Sequence, residues 1–498
     1  MRRSIVIVGA GPTGLSLALG LARNGVESVV LERKTALDPH SRATVILPRT
    51  IEILDQLGVA DRFLEEGNRV PHIRLRNAPD GQQLTHFDFT DLTGETAHPY
   101  AIALAQDRTE RILLDAVQAT GLVDVRFGVE VASLSIGDDG IDVTAHQAGA
   151  HTSLAADFIV GADGAHSIVR HAMGIDLAGK TYPSRALLAD IEVPAAREQA
   201  DFWPTLLREA GLVVGIRFGP RIFRIVADAI DDRVDESNMD AEVDRLSRLL
   251  FAAPPTRVVW RAIYQKHQRC VPTFRRGRAM LAGDAAHLNS PAGGQGMNSS
   301  IQDAHNLAWK LGRIVTEDDA DVDALLDSYA GERRGYVIEQ IQPFTDRAEW
   351  FETAPSWLRA LLVTVGGRIT GADRTAPAMA RRLSMLDTRY SRSVLLVGDD
   401  RAVGKRLPDV LGPNGKRLLA GNRDAVILHS QREAAAAALG EALSLPVIDG
   451  DLAMLAEFFG GDRYIALIRP DGIVGWATAT GAPSIAACRH ALGGIGMK

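Results

Sequence analysis

At 498 residues the chain is too long for one ordinary core, and 46% hydrophobic with 23% charged residues is the make-up of a soluble globular protein of two or three domains. A net charge of -7 and a sequence pI near 6.0 give no electrostatic footprint for nucleic acid or for an acidic membrane surface. Two cysteines, Cys270 and Cys488, lie too far apart in sequence for a metal cluster or a disulfide framework, which fits a reducing, cytoplasmic setting.

The basic start and apolar run at the N-terminus have the outline of a signal peptide, but Gly9, Gly11, Pro12 and Gly14 interrupt the run in a defined pattern. No other apolar stretch approaches the length of a membrane span. Ser4 to Val8 predicts a strand, Gly9-Ala10-Gly11-Pro12-Thr13-Gly14 a tight turn, and the residues to about Asn24 a helix. Val26 to Leu31 predicts a second strand, ending in Glu32. This is a βαβ unit with glycines where the turn is tight, where a pyrophosphate nears the backbone, and where helix packs on strand. Glu32 lies where a carboxylate meets a ribose hydroxyl, which favours FAD or NAD over NADP as the held dinucleotide; Arg33 beside it pulls slightly the other way.

Arg42 follows in a loop suited to a cation that meets phosphates, then a helix from about Pro48, closed by Gly58. Residues 70 to 100 alternate polar and apolar and turn at Asp80-Gly81, an antiparallel excursion. Gln106 precedes a helix expected over Thr109 to Ala119 with Thr109 as its cap. Three strands lead to a fourth, Asp157 to Val160, which ends in Gly161-Ala162-Asp163-Gly164 before a helix carrying Arg170. Ligands gather at the carboxyl ends of parallel strands, so this turn is expected to face the first one.

From 180 to 275 alternation dominates, interrupted by a helix over Asp240 to Phe251, and predicts a separate, mainly antiparallel sheet. The apolar run Ala279 to Ala282 stops at Gly283-Asp284, a Pro- and Gly-rich loop follows, and a helix begins near Gly296, its main length running from about Ile301 to Ile314. Beyond Ser393 a third region alternates strands (Val394 to Val397, Asp424 to Leu428, Tyr464 to Ile468, Ile473 to Ala477) with helices at Gln431 to Leu443 and Ser484 to Leu492. The mix is that of a thioredoxin-like α/β sandwich, but there is no CxxC, so dithiol chemistry is not expected.

Three glycine/aspartate signatures stand in one order: Gly9 to Gly14, Gly161-Ala162-Asp163-Gly164, and Gly283-Asp284-Ala285-Ala286-His287, with Arg42 and the closing Gly293-Gly294-Gln295-Gly296-Met297-Asn298. The set resembles the single-component flavin-dependent aromatic hydroxylases, para-hydroxybenzoate hydroxylase-like and phenol hydroxylase-like, over roughly residues 1 to 345. The tail is similar, more loosely, to the thioredoxin-like domain of the phenol and aromatic polyketide hydroxylase branches. The resemblance implies an α/β fold: a Rossmann-type FAD-binding domain (1–75, 101–178, 275–345), an inserted mainly antiparallel β substrate domain (76–100, 179–274), a helical connection (346–388), and a thioredoxin-like domain (389–498).

By that resemblance Gly9, Gly11, Thr13 and Gly14 hold the FAD pyrophosphate, and Glu32 with neighbouring Arg33 the adenosine ribose. Arg42 and Gln106 contact the cofactor near its flavin, Asp163 serves FAD and NAD(P)H, and Asp284 takes the ribityl or pyrophosphate part. Pro291, Gly294, Gly296, Met297 and Asn298 line the isoalloxazine ring. The family often has a second proline just before Pro291, where this chain has Ser290. The implied chemistry is reduction of flavin by NADPH or NADH, addition of molecular oxygen at C4a, and transfer of oxygen from that hydroperoxide to a phenolic or polycyclic aromatic substrate. An oxidase, an epoxidase or a non-hydroxylating FAD reductase is the alternative on the same fold; the WxWxIP motif of flavin halogenases is absent. No second GxGxxG unit is present for NAD(P)H, in keeping with the family. Tyr182, Arg217, Arg224, Tyr264 and His267 are candidates to ease loss of a phenol proton, and His287 reads as a structural residue of its loop; no catalytic residue is assigned. Small-molecule substrate is the expected partner, with no nucleic acid, no membrane span, no metal, and a homodimer as the assembly to test for.

Overall fold

The computed structural model describes residues 4–38, 43–77, 83–137, 139–194, 202–207, 211–217, 219, 221–355, 358–359, 376–398, 400–410, 417–418, 424–479 and 481–494. Arg42 and the Asp80-Gly81 turn lie outside them.

The β-branched run at the start forms the buried strand Ile5–Val8. It sits in a six-stranded sheet of order Arg275–Arg276, Ala279–Leu281, Phe158–Gly161, Ile5–Val8, Ser28–Glu32, Val123–Phe127. All neighbours run parallel except the Arg275–Arg276 edge. Parallel strands need crossovers, and each crossover brings the chain back so that its loop emerges at the same carboxyl edge. The three glycine/aspartate turns follow Val8, Gly161 and Leu281, three strands adjacent in this sheet, so they emerge side by side. The helices Pro12–Arg23 and Gln295–Thr316 pack on each other there, with Gly20 against Ala308. A three-stranded antiparallel sheet, Val129–Ile136, Ile141–Gln147 and Ala150–Ala156, fills one crossover.

The alternating segments build an eight-stranded sheet of order His287–Leu288, Arg257–Cys270, Ala178–Glu192, Ile222–Ile230, Gly211–Arg217, Phe202–Leu207, His72–Asn77, Gln83–Asp88. The His72–Asn77 strand lies within the stretch whose alternation predicts it and spans residue 76, where the inserted domain is expected to start. One face, carrying Leu187, Ala189, Ile191, Phe223, Ile225 and Ala227, is covered by the helix Met239–Phe251. The opposite face carries Val214, Ile216 and Val226, which pack with Tyr336 and Ile341 beside the nucleotide-binding region. His287–Leu288 pairs with Arg269 and Cys270, so the loop after the third glycine/aspartate turn is itself the edge strand of this second sheet.

The C-terminal sheet has the order Val447–Asp449, Val426–Ser430, Tyr464–Ile468, Val474–Thr478, the first pair parallel and the others antiparallel. Its Arg469–Gly472 turn is not a solvated hairpin. Arg469 and Asp471 are 2% and 1% exposed and plug into the helices of the first region. Arg469 Nη1 donates to Glu332 Oε1 at 2.6 Å, Asn306 Nδ2 donates to Asp471 Oδ2 at 3.0 Å, and Arg49 Nη2 donates to the Asp471 carbonyl at 2.8 Å.

Two local expectations change. Val394 to Val397 is a turn with an isolated bridge from Val397 to Trp476, because the chain there follows the sheet edge without joining its ladder. Thr109 is not a cap: the helix is Gln106–Ala119 with Ala105 at its cap, and Thr109 is buried one turn inside. The long helix starts at Gln295, in line with the start expected near Gly296, and Gly294 at φ 64° supplies the sharp entry.

Candidate active site

The first turn is shaped by close backbone approach. Gly9 has φ +105°, and a Cβ there would strike the Ala162 carbonyl of the second turn; a Cβ on Gly14 would strike the Gly9 carbonyl. A Cβ on Gly11 would meet nothing within 4 Å, so that edge of the turn is open. The helix Pro12–Arg23 has no side-chain cap bond, leaving first-turn amides to take an anion. Glu32 closes the turn from the second strand: its Oε2 accepts from Ala10 N–H at 2.8 Å and its Oε1 from Lys34 N–H at 3.0 Å. Each oxygen keeps a second lone pair for a ligand hydroxyl. Arg33 is exposed beside it.

In the second turn, Asp163 Oδ2 accepts from the amides of Ile168 and Val169 at 2.7 and 3.4 Å. Oδ1 is buried without a hydrogen-bond partner among the described residues. Burial pushes the Asp163 carboxyl above its ordinary range. A buried acceptor without a donor is costly, so the site fits a ligand that brings one. Arg170, 5% exposed, joins the second and third turns: Nη2 donates to the Ala165 carbonyl at 2.8 Å and Nη1 to the Ala285 carbonyl at 3.1 Å.

The third turn is held by a residue the sequence did not single out. Asp303, fully buried on the Gln295–Thr316 helix, accepts from Gly283 N–H at 2.9 Å and from His287 Nε2 at 2.8 Å through Oδ2, and from Arg333 Nε at 2.7 Å through Oδ1. Burial alone would raise its carboxyl, but His287 and Arg333 outweigh it and hold the group below its ordinary range. His287 Nδ1 faces the Asn289 amide at 3.1 Å, which assigns the proton to Nε2. His287 thus braces the loop. Gly283 lies under Thr13 and Ser300, so the turn abuts the start of both helices, and Asp284 is exposed on its outer side.

Gly293 and Gly294 then turn the chain at φ 77° and 64° into a helix that again lacks a side-chain cap bond. Asn298 ties this helix start to the Val45–Ile46 strand: Nδ2 donates to the Val45 carbonyl at 2.9 Å and Oδ1 accepts from Leu47 N–H at 2.9 Å. Gly296 and Met297 remain partly accessible, as does Pro291. Gln106 accepts from Ala43 N–H at 3.1 Å, next to the segment that holds Arg42. Gly9, Gly11, Gly14, Asp163, Thr13 and the Gly283–Asp284 turn are brought together; Glu32 stands at the next strand end.

Comparison with known proteins names this arrangement. The FAD binding domain family matches residues 2–343. A flavin-dependent monooxygenase of Mycobacteroides abscessus is 32% identical over 96% of this chain and 98% of its own. The chain belongs to the flavin-dependent aromatic monooxygenases. A rifampicin monooxygenase of Streptomyces venezuelae is 29% identical over 95% of both chains. Among solved structures, an anhydrotetracycline hydroxylase from Streptomyces rimosus superposes with TM-score 0.81 at 27% identity, covering 100% of both chains. A ternary complex of aklavinone-11 hydroxylase with FAD and aklavinone gives 0.77 at 27% identity, covering 98% of this chain and 99% of that one.

In this monooxygenase the sheet face opposite the Met239–Phe251 helix also carries polar side chains, which are internally paired. Arg224 makes a bidentate ion pair with Asp190 at 2.6 and 2.7 Å, fully buried under Trp260. Tyr182 Oη lies 2.7 Å from an Asp346 carboxylate oxygen and also meets the Gln268 side-chain oxygen, and burial, with Asp346 beside it, raises its pKa well above the ordinary phenol value. His267 Nδ1 meets Thr181 Oγ1 at 2.9 Å, and Arg217 Nε donates to the Gly219 carbonyl at 3.3 Å. Each of these four side chains has a partner within the protein. What the sequence missed lies on the helix Gln342–Thr353: Glu349 and Glu352 are 3% and 4% exposed, while Trp350 is 56% exposed. Ser290 donates to Glu349, so the serine replacing the family's frequent proline has a partner. Cys270 and Cys488 are buried, which pushes both thiols up to about 12 and leaves them inert at neutral pH. Among the described residues no metal-binding group occurs, and no helix is long and apolar enough to cross a membrane.

Proposed function

We propose that the chain is an NAD(P)H- and FAD-dependent monooxygenase that hydroxylates a phenolic or polycyclic aromatic compound. The observation that carries this reading is the placement of the flavin loop. His287–Leu288 is at once the continuation of the third glycine/aspartate turn and the edge strand of the eight-stranded sheet. A ring lying between that loop and the inner face of the sheet therefore meets the flavin edge on one side and a fixed wall on the other.

In this reading Gly9, Gly11, Thr13 and Gly14 hold the FAD pyrophosphate against the first helix, and Glu32 with Arg33 receives the adenosine ribose. Asp163 and Asp284 bind from the second and third turns, and Arg42 and Gln106 contact the cofactor. Pro291, Gly294, Gly296, Met297 and Asn298 line the ring system, and the uncapped amides at Gln295 and Gly296 stabilise negative charge at its edge. Bound FAD, reduced by NADPH or NADH, supplies the activation of molecular oxygen. The chain's own task is to orient the aromatic ring and exclude water while oxygen is transferred. NAD(P)H binds transiently, since the sequence has one GxGxxG unit.

Coverage bears on substrate size. Relatives named for tetracycline and rifampicin substrates match 95–96% of this chain, C-terminal sheet included. The para-nitrophenol 4-monooxygenase of a Pseudomonas matches only 68% of it. This supports a polycyclic phenol over a small one, and supports reading the C-terminal region, by its mixed four-stranded sheet, as a thioredoxin-like domain that docks through Arg469 and Asp471. The test is substrate-stimulated NAD(P)H consumption with matching oxygen uptake across a panel of phenols and polycyclic phenols. Colourless protein that takes up no FAD would end the scheme; FAD-loaded protein with oxygen uptake but no hydroxylated product would favour the oxidase alternative.

A further inference from the structure

The buried Arg469–Gly472 turn of the C-terminal sheet is bonded to three helices, and each of the three is also bonded to the flavin loop or carries it. Arg469 lies across Glu332 on the helix Val322–Tyr336, with Nη1 donating to Oε1 at 2.6 Å and Nη2 to Oε2 at 2.8 Å. The same guanidinium holds Asp471, whose Oδ2 also accepts from Asn306 Nδ2 at 3.0 Å, on the helix Gln295–Thr316. The Asp471 carbonyl accepts from Arg49 Nη2 at 2.8 Å, on the helix Pro48–Gln56. Arg333, next to Glu332, donates through Nε to Asp303 and through Nη2 to the Ser299 carbonyl, and Asp303 in turn holds Gly283 and His287. Val45 and Leu47, just before Arg49, are the two residues tied to Asn298. Tyr390 stands between the two guanidiniums, its ring 5.9 Å from that of Arg469 and from that of Arg333.

Arg469 and Lys310 face Glu332 and Asp471, so two cations and two carboxylates share one buried space. Lys310 Nζ donates to Glu332 Oε2 and to Asn306 Oδ1, each at 2.8 Å. Burial opposes charge on Glu332, but Arg469 and then Lys310 outweigh it and hold the carboxyl well below its ordinary range. Such a cluster costs desolvation and is a weak source of net stability; its better-founded effect is to fix one arrangement of the elements that carry it. Sliding any of the three helices past the turn breaks bonds inside the cluster and strands a buried polar group.

We propose that Arg469 and Asp471 are positioning residues for FAD: docked among the three helices, their turn fixes the spacing at which the Gly283–Asp284 turn and the amides of Gln295 and Gly296 meet the cofactor. The inference rests on the reading above that this loop holds FAD. Arg469 acts through Glu332 and the adjoining Arg333, and Asp471 acts through Asn306 and Arg49. The C-terminal region thereby takes part in cofactor binding from behind the loop. Such coupling is reciprocal: whatever factor the docked turn adds to FAD affinity, bound FAD adds to the docking of the turn.

Two measurements on the full chain, stripped of FAD and reloaded, test this. The double variant Arg469→Gln/Asp471→Asn removes one charge of each sign and leaves Lys310 paired with Glu332, so no net charge is stranded. Its FAD dissociation constant should rise about tenfold, and Asp303→Asn, which alters the loop itself, should weaken FAD as well. In the wild type, FAD should slow hydrogen exchange about tenfold at the Arg469 and Gly472 amides, which donate to the Ile473 and Arg469 carbonyls at 2.9 Å. Weakened FAD in Asp303→Asn beside wild-type affinity in the double variant overturns the coupling and leaves the loop as the FAD site. Unchanged affinity in both means the loop does not hold FAD, and both readings fall. Exchange at the turn that FAD leaves unaltered, or slows no more than in the central strands Val426–Ser430 and Tyr464–Ile468, means the turn only stabilises the chain. That result overturns the positioning role whether or not the double variant folds.

Discussion

Replacing Asp303 by Asn removes one charge and one acceptor from the centre of the third turn without changing its shape. The carboxylate serves three donors: Gly283 N–H at 2.9 Å, His287 Nε2 at 2.8 Å and Arg333 Nε at 2.7 Å. An amide offers one oxygen, so a donor must face a donor on the other side. Removing one partner of a buried ion pair costs about 3–5 kcal/mol. Arg333 keeps the Ser299 carbonyl at 3.1 Å and the Tyr390 hydroxyl at 3.2 Å, which places the expected loss at the lower end, about 3 kcal/mol. Because Asp303 is held below its ordinary carboxyl range, its contribution is present above the unfolded pKa and is lost as pH falls through the folded one, so the variant and wild type should converge in strong acid. Urea unfolding followed by release of FAD fluorescence, at neutral pH and in acid, measures both effects. A loss under about 1 kcal/mol at neutral pH, the size of an exposed pair, would refute the reasoning.

Gly14→Ala puts a Cβ into the Gly9 carbonyl, and the strain of about 1–3 kcal/mol falls on the turn proposed to hold the pyrophosphate; the FAD-to-protein ratio should drop while far-ultraviolet dichroism holds, and full FAD content would contradict it. Glu110 ionises at about 7 because burial outweighs the hydrogen bond from Gln106. Its folded pKa is raised, so its contribution is most favourable below the model-compound 4.5 and is lost as pH rises to about 7. Glu110→Gln should therefore stabilise the protein on the order of 3 kcal/mol above pH 7 and little below the ordinary carboxyl range, read by urea midpoints; an equal gain in acid would count against it.

The parts of the site legible in the sequence were those where backbone must approach backbone. Gly9 and Gly14 leave a spacing signature because a Cβ would collide there, and Gly283-Asp284 does so because the turn sits under Thr13. What stayed hidden were polar residues on regular helices, where a buried and a solvated carboxylate look alike. Asp303 sits in an ordinary helical stretch, and nothing local tells that it faces His287 and Arg333. The Gln342–Thr353 helix inverts the usual rule, with Glu349 and Glu352 inside and Trp350 outside, so hydrophobic periodicity points its faces the wrong way. Arg469-Pro470-Asp471-Gly472 has the composition of a turn, but its burial depends on Glu332 and Asn306, well over a hundred residues earlier. Ser290 departs from the family's frequent proline, and its bond to Glu349 becomes visible only when the helix is placed behind the loop. The Val394 to Val397 segment has strand composition but forms only the isolated bridge from Val397 to Trp476.

The central claim is oxygen transfer, and the most direct measurement is turnover of the FAD-loaded protein with NADPH or NADH under isotopically labelled O₂ in ordinary water, using polycyclic phenols. The expected result is one labelled oxygen atom in the hydroxylated product for each NAD(P)H consumed. Product carrying oxygen from water, or hydrogen peroxide as the sole fate of the labelled gas across the panel, would contradict it.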